Sequence, residues 1–253
     1  MTDSTKIRYI QPPKQLMSGF LNFAKEIEQK CIENGVKFTE NEIAEIFNNS
    51  FPGKIRANFF LWVGDLNDII DGMNIILTDL SDLRKDKNSL KGNPIVRSEL
   101  LFQAFFGEFF RMREISRIFM KLLTYEKVLN KKAKQAFVGF YFEAFDTIYE
   151  IRNKLIHQGV SFKKYDVNLD LSIFDDLTIE EQEKFISLIK ESNTRENTVE
   201  IQCAIYIKMI KYSMHTFIEF QEILNGVLAD LIISYEKEVL TITVEKNNNN
   251  KSL

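Results

Sequence analysis

The stretch KKAKQAFVGFYFEAFDTIYEIRNKLIHQ, residues 131–158, decides the fold because apolar residues recur around most of the circumference of a helix. One apolar face comprises Phe137, Phe140, Tyr141, Ala144, Ile148, Ile151 and Leu155, and a second beside it comprises Val138, Phe142, Phe145, Tyr149 and Ile156. Only one narrow stripe of the helix surface, outside these two faces, is polar. A helix of this kind is buried on two sides, either deep in a bundle or at a subunit interface.

Helical patterns fill most of the chain on both sides of this stretch. The whole sequence contains only four prolines and ten glycines, so helix breakers are rare. Apolar residues at helical spacing predict helices at about 14–34, 39–47, 54–86, 95–129 and 198–235, with a shorter one at about 178–190. Thr39 opens its helix with a capping box. The sequence therefore predicts an all-α fold, a bundle of long antiparallel helices.

The two ends of the chain and two short internal segments depart from the helical pattern. Residues 1–12 are mostly polar and predict a flexible lead, and residues 246–253 predict a disordered tail. Between them, residues 13–245 form one predicted domain. Apolar and polar residues alternate at 167–173 and again at 239–244, which predicts a small two-stranded β element within one chain or across a dimer.

The composition narrows the range of functions. The chain has 253 residues, 45% of them hydrophobic, with a net charge of −3 and a pI near 5.7. Bulk electrostatics therefore do not draw it to nucleic acid or anionic membrane, and any RNA contact must be local. Two cysteines are too few for a disulfide framework or a zinc site. Neither a signal peptide nor a membrane-length apolar run is present, so we expect a cytoplasmic protein without a membrane partner.

The residues with the clearest chemistry close the central helix. Arg152, Asn153 and His157 are followed at once by Gln158 and Gly159. Histidine can take and give a proton near neutral pH, and arginine is a permanent forked donor suited to phosphate. Asn153 stands one turn before His157 and can orient its ring. Arg152 lies about 140° round the helix from His157, so it must reach across or meet the histidine of a second subunit.

At these residues the sequence resembles the HEPN superfamily (higher eukaryotes and prokaryotes nucleotide-binding domain), whose signature is an Arg, a polar residue and then a His a few positions later. The resemblance implies an all-helical bundle, commonly a homodimer, that in its active members is a metal-independent ribonuclease. It implies that His157 acts as general acid or base, that Arg152 contacts the scissile phosphate and that Asn153 fills the polar position. No cofactor is implied. Its members often act in toxin–antitoxin or phage-defence systems, so an antitoxin or other regulatory protein is an expected partner beside RNA.

Further residues are assigned supporting parts. Glu108 falls inside the apolar face of its helix, where a carboxylate is costly unless paired, so we expect it to meet a donor, with Arg152 and His157 as candidates, or to reach water at the edge. Glu150 lies on the His157 side of the central helix and could orient the ring, or could be a solvated charge. The nearest basic residues for holding an RNA backbone are Lys154, Lys163 and Lys164.

Two readings without catalysis stay open. A histidine in the last turn of a helix is favoured by the helix dipole alone, and an arginine nearby can simply cover a surface. The pair could also serve as a phosphate clasp in a non-catalytic module that binds RNA, a nucleotide or a partner protein. The second histidine, His215, has apolar neighbours in sequence and no motif partner, so it is interpreted as structural.

Overall fold

The computed structural model describes residues 6–34, 38–51, 53–145 and 198–249. Within these ranges the chain is an all-α helical bundle, which confirms the predicted fold class. A short 3-10 turn, Lys14–Leu16, leads into the first helix. The helices are α1 Met17–Asn34, α2 Glu40–Ser50, α3 Lys54–Lys85, α4 Pro94–Tyr125, α5 Lys131–Ala144 and α6 Thr198–Asn249. None of these described helices combines the length and apolar character needed to span a membrane.

Local signals in the sequence set where the helices begin. The Thr39 side chain accepts from the Glu42 backbone and the Glu42 carboxylate reaches back to Thr39, which forms the predicted capping box of α2. Helix α4 begins with Pro94 in its first position, and the Asn93 side chain accepts from the backbone N–H groups of Ile95 and Val96. Asn130 caps α5 in the same way, by accepting from Ala133 N at 2.8 Å.

The described residues divide into two compact units. The first takes residues 6–8, 68–114, 139–145 and 198–216, and the second takes 9–34, 38–51, 53–67, 115–138 and 217–249. Helices α3, α4, α5 and α6 each contribute residues to both units. The predicted single domain over 13–245 is not tested by this division and stays a prediction.

The core of the first unit is built on aromatic residues of α4. Phe102, Phe105, Phe106 and Phe109 are all at most 2% exposed. Phe102 stacks on Tyr206 of α6 with ring centroids 3.9 Å apart and planes 5° from parallel. Such pairs each contribute about 0.5–1.5 kcal/mol beyond the area they bury.

The core of the second unit combines two aromatic groups and a forked ion pair. Five phenylalanines from α1, α2, α3 and the α2–α3 turn meet with centroid distances of 4.3–6.2 Å: Phe20, Phe23, Phe47, Phe51 and Phe60. Trp62 stacks on Phe119, and its indole N–H donates to Ser116 Oγ at 3.3 Å. Arg56 of α3 donates through Nε and Nη2 to Glu236 of α6. These contacts tie α3 to α4 and to α6 within this unit.

The C-terminal strand prediction is wrong. Helix α6 continues through residues 239–244 and on to Asn249. No glycine or proline follows Gly226 in this helix. Each further helical residue gains a hydrogen bond without a new nucleation cost, whereas a strand would need an edge to pair with. The other predicted strand, at 167–173, and the helix at 178–190 lie outside the described residues.

Side chains of α3 bind two residues of the segment 1–12, Ile7 and Ile10, and the predicted flexibility of that segment as a whole stays a prediction. In the first unit, Ile7 N donates to Asn74 Oδ1 at 2.7 Å and Asn74 Nδ2 donates to Ile7 O at 3.1 Å. In the second unit, Asn67 makes the same pair of bonds with Ile10, at 2.9 and 3.3 Å. A carboxamide offers the same donor and acceptor as a peptide group, so it can pair with extended backbone on both sides.

Candidate functional site

Most of the candidate site lies outside the described residues. This holds for Arg152, Asn153 and His157, for Glu150, and for the three predicted RNA-binding lysines, Lys154, Lys163 and Lys164. Their predicted roles stay predictions. The described part of the site consists of Glu108 and of the chain that enters the motif segment.

Glu108 is partly exposed and has a partner on its own helix. Its Oε2 accepts from Arg111 Nη1 at 3.0 Å, and the two side chains are 30% and 57% exposed. The predicted need for a donor is therefore met by Arg111, three residues along α4, and the side chain also reaches water. A solvent-exposed pair at this spacing contributes only a few tenths of a kcal/mol, about 0.2–0.5.

Helix α3 passes close to this carboxylate. The Glu108 Cδ atom would lie 4.0 Å from a Cβ added at Gly72, which is ordinary van der Waals contact. The Glu108 carboxyl group therefore lies beside α3 at Gly72.

The chain entering the motif segment is anchored next to Glu108. Phe145, just after α5, is 3% exposed and packs edge-on against Phe109 with centroids 5.3 Å apart. Phe109 adjoins Glu108 on α4. The aromatic contact therefore fixes the chain, seven residues before Arg152, to the part of α4 that carries the predicted acid.

The second histidine, His215, is exposed on α6 and engages a neighbour. The preceding residue, Met214, is fully buried. One step of about 100° round a helix is enough to move from core to solvent. The interpretation of His215 as structural stays a prediction.

The buried titratable groups of the first unit are core residues. Burial raises the pKa of the Cys203 thiol to about 11, so the sulfur is a thiol at neutral pH and a poor nucleophile. Burial also raises the pKa of Tyr206, whose hydroxyl accepts from Gln202 Nε2 at 2.9 Å. Within the described ranges, no cluster of three or more His, Cys, Asp or Glu side chains could hold a metal ion.

Sequence reasoning missed two features of the described residues. The Arg111 partner of Glu108 is signalled by its spacing of three on a helix. The turn between α4 and α5 carries exposed lysines around Tyr125, whose ring is 80% exposed. Its signal is the density of lysines between 121 and 134.

No protein-family model, curated protein or solved structure matches this chain.

Proposed function

We propose that this protein is a metal-independent endoribonuclease of HEPN type. The observation that carries the proposal is the motif Arg152-Asn153-x3-His157 at the end of a strongly apolar helical pattern. Two further observations support it. The described chain is an all-α bundle, as the resemblance implies. The Phe109–Phe145 contact packs the chain shortly before the motif onto α4, the helix that also carries Glu108.

The chemistry needs only groups that the chain and the RNA supply. His157 takes the proton of a ribose 2′-hydroxyl, and that oxygen attacks the adjacent phosphorus. The bond from phosphorus to the 5′-oxygen breaks, and the leaving oxygen receives a proton from an imidazolium. Arg152 stabilises the charge on the pentavalent phosphate. The products are a 2′,3′-cyclic phosphate and a free 5′-hydroxyl.

We further propose that the active form is a twofold dimer. Phe140 on α5 is 50% exposed, although it belongs to an apolar face of the sequence pattern. A second copy packed against α5 would bury this ring and bring two Arg–His pairs into one cleft. One His157 then acts as base while the other acts as acid, which removes the need for Arg152 to reach round its own helix.

The test is cleavage of a mixed RNA pool in EDTA by wild type, His157→Ala and His215→Ala. The last variant is a matched control because it removes the other histidine, which is exposed. We expect wild type and His215→Ala to leave 2′,3′-cyclic phosphates, and His157→Ala to lose at least about 10²-fold in rate. DNA of the same sequences should stay intact because it lacks the 2′-hydroxyl. Cleavage that requires Mg²⁺, or that is equal on DNA, contradicts the mechanism.

The Arg152→Ala variant separates an enzyme from a binding module. In the enzyme it abolishes cleavage through loss of transition-state stabilisation. In a non-catalytic phosphate clasp, wild type cleaves nothing and the variant binds RNA more weakly. In a purely structural dimer the substitution changes neither property.

A further inference from the structure

We infer that the turn between α4 and α5 is a surface that holds single-stranded RNA. This surface, the basic turn, consists of Lys121, Tyr125, Lys127, Lys131 and Lys132. All five side chains are exposed and lie in the second unit. The inference deepens the proposed function and rests on it for the choice of RNA as the ligand. It adds a site beyond the motif segment where the strand is gripped.

The charge of the basic turn opposes that of the chain as a whole. The net charge is −3, yet residues 121–134 contain five lysines and one acid, Glu126. That acid is already neutralised, since its Oε1 lies 2.7 Å from Lys54 Nζ. Among the residues that the structure describes, none of the four lysines of the basic turn forms an ion pair. Their charge is therefore available to a phosphate backbone.

Tyr125 adds an exposed aromatic ring to this charged surface. Its ring is 80% exposed, the largest exposed fraction among the big hydrophobic side chains of the described residues. Lys121 stands one turn before it on α4, so a lysine and the ring share a helix face. The pKa of the nearby Lys54 is raised mainly by its hydrogen bond to Glu126, with a smaller contribution from Tyr125, which places a further ammonium near the phenol. An exposed ring flanked by cations is the arrangement that stacks bases of a single strand.

Lys127 adds an independent sign of function. Its φ is +63°, the left-handed region, where glycine is the usual residue. It follows the end of α4 in a Schellman motif, in which Val128 N donates to Leu123 O at 2.9 Å and Lys127 N donates to Thr124 O at 3.2 Å. A non-glycine residue persists in this conformation when the surrounding structure holds it there, and such residues cluster at functional sites. Here the Schellman hydrogen bonds hold a lysine at the tip of the turn.

The test measures binding without cleavage. The probe is a fluorescein-labelled single strand of fully 2′-O-methylated RNA, which cannot form a cyclic phosphate. Anisotropy titrations compare wild type, the Lys131→Glu/Lys132→Glu double variant, Tyr125→Ala, and a control that reverses Lys87 and Lys91 in the α3–α4 loop. The control makes the same change in net charge on exposed lysines elsewhere. The two glutamates fall in the first turn of α5, where acids are favourable, so the fold is kept.

We expect the double variant to raise Kd at least about tenfold and to lower the slope of log Kd against log salt by roughly 1.4, from about 0.7 for each lost phosphate contact on a single strand. Tyr125→Ala should raise Kd on the order of tenfold for the single strand and hardly at all for a duplex. The control should change Kd by much less. Equal effects of the two double variants overturn the inference, as does wild type that binds no strand. If the Lys131→Glu/Lys132→Glu variant loses binding to anionic vesicles and keeps its binding to RNA, the basic turn is a membrane-binding surface. That result also overturns the inference.

Failure of this inference is distinguishable from failure of the proposed function. If wild type cleaves RNA and the Lys131→Glu/Lys132→Glu variant cleaves it with unchanged KM, the basic turn is refuted and the nuclease stands. If the basic turn binds the strand and wild type cleaves no RNA, the proposed nuclease fails and the RNA surface stands.

Discussion

The left-handed backbone of Lys127 lowers the stability of the folded protein. A left-handed backbone costs a non-glycine residue about 1–2 kcal/mol, while glycine there costs the unfolded chain more entropy. The exposed side chain of Lys127 makes no hydrogen bond or ion pair within the described residues that would offset this strain.

Replacing Lys127 with glycine should therefore stabilise the protein by about 0.5–1 kcal/mol. The measurement is the free energy of unfolding from urea titration followed by circular dichroism. Lys127→Ala is the control, since alanine removes the same charge and keeps the Cβ atom. If alanine stabilises the protein as much as glycine does, charge repulsion among the lysines is the cause and backbone strain is not.

For single residues, the sequence predicts the interactions between side chains that are only a few positions apart. The Thr39 capping box could be predicted because its two residues are three apart, and the structure confirms it. The spacing of three between Glu108 and Arg111 on α4 also indicates their ion pair, which the structure contains. The conformation of Lys127 could not be predicted, because lysine carries no local signal for a left-handed backbone.

Among the elements, the capping box of α2 gives a pH-dependent prediction. The Glu42 carboxylate accepts from Thr39 N at 2.9 Å and from Thr39 Oγ1 at 2.8 Å, and these bonds hold its pKa below the usual 4.5. A carboxyl with a lowered folded-state pKa stabilises the fold above its unfolded pKa. That stability is lost as the pH falls through the folded-state pKa.

Replacing Thr39 with alanine should cost about 1 kcal/mol of unfolding free energy at pH 7, through loss of the cap. Serine at this position should keep most of the stability because it retains the hydroxyl. Carbon-detected NMR titration should give Glu42 a pKa below 4.5 in wild type and a value closer to normal in Thr39→Ala. An unchanged Glu42 pKa in that variant would show that the Thr39 hydrogen bonds do not cause the shift.

The N-terminal segment shows that a polar lead can be bound by side chains distant in sequence. Its partners on α3 lie 57 and 67 residues away, so no local pattern could indicate them. The alternation at 239–244 failed for the opposite reason. A local period of two is present in the sequence. Extending helix α6 through these residues nevertheless costs less free energy than ending it and forming a strand.

Replacing Asn74 with alanine should release the segment near Ile7. Asn74 is 9% exposed, and its loss leaves a backbone N–H and a carbonyl without their partner. We expect a cost of about 1–3 kcal/mol in unfolding free energy, with faster hydrogen exchange at the Ile7 amide. Asn88→Ala, in the exposed α3–α4 loop, is the matched control and should change stability by less than about 0.5 kcal/mol. Unchanged exchange at Ile7 in the Asn74 variant would mean that the side chain does not hold the segment.

For the whole molecule, the all-α class could be predicted because it depends on composition and period, which are spread over the entire chain. The site depends on the six residues from Arg152 to His157 and on the residues that face them. Sequence spacing gives the relation of Arg152 to His157 round one helix, about 140°. It cannot give the distance between residues of two subunits. In the proposed dimer, the distance between the two subunits' motif residues decides whether they share one cleft, and a shared cleft can be tested by activity.

Mixing active and inactive subunits tests that dimer directly. Wild type and His157→Ala are coexpressed at varied ratios, and total RNA cleavage is measured against the fraction of wild-type chains. If one cleft needs one His157 as base and the other as acid, only dimers of two wild-type chains cleave RNA. Activity then falls as the square of the wild-type fraction. Subunits that act independently give a linear fall, which would contradict the shared cleft, and a monomeric mass by light scattering would contradict the dimer itself. Coexpression with His215→Ala, which leaves the motif intact, should leave activity unchanged at every ratio.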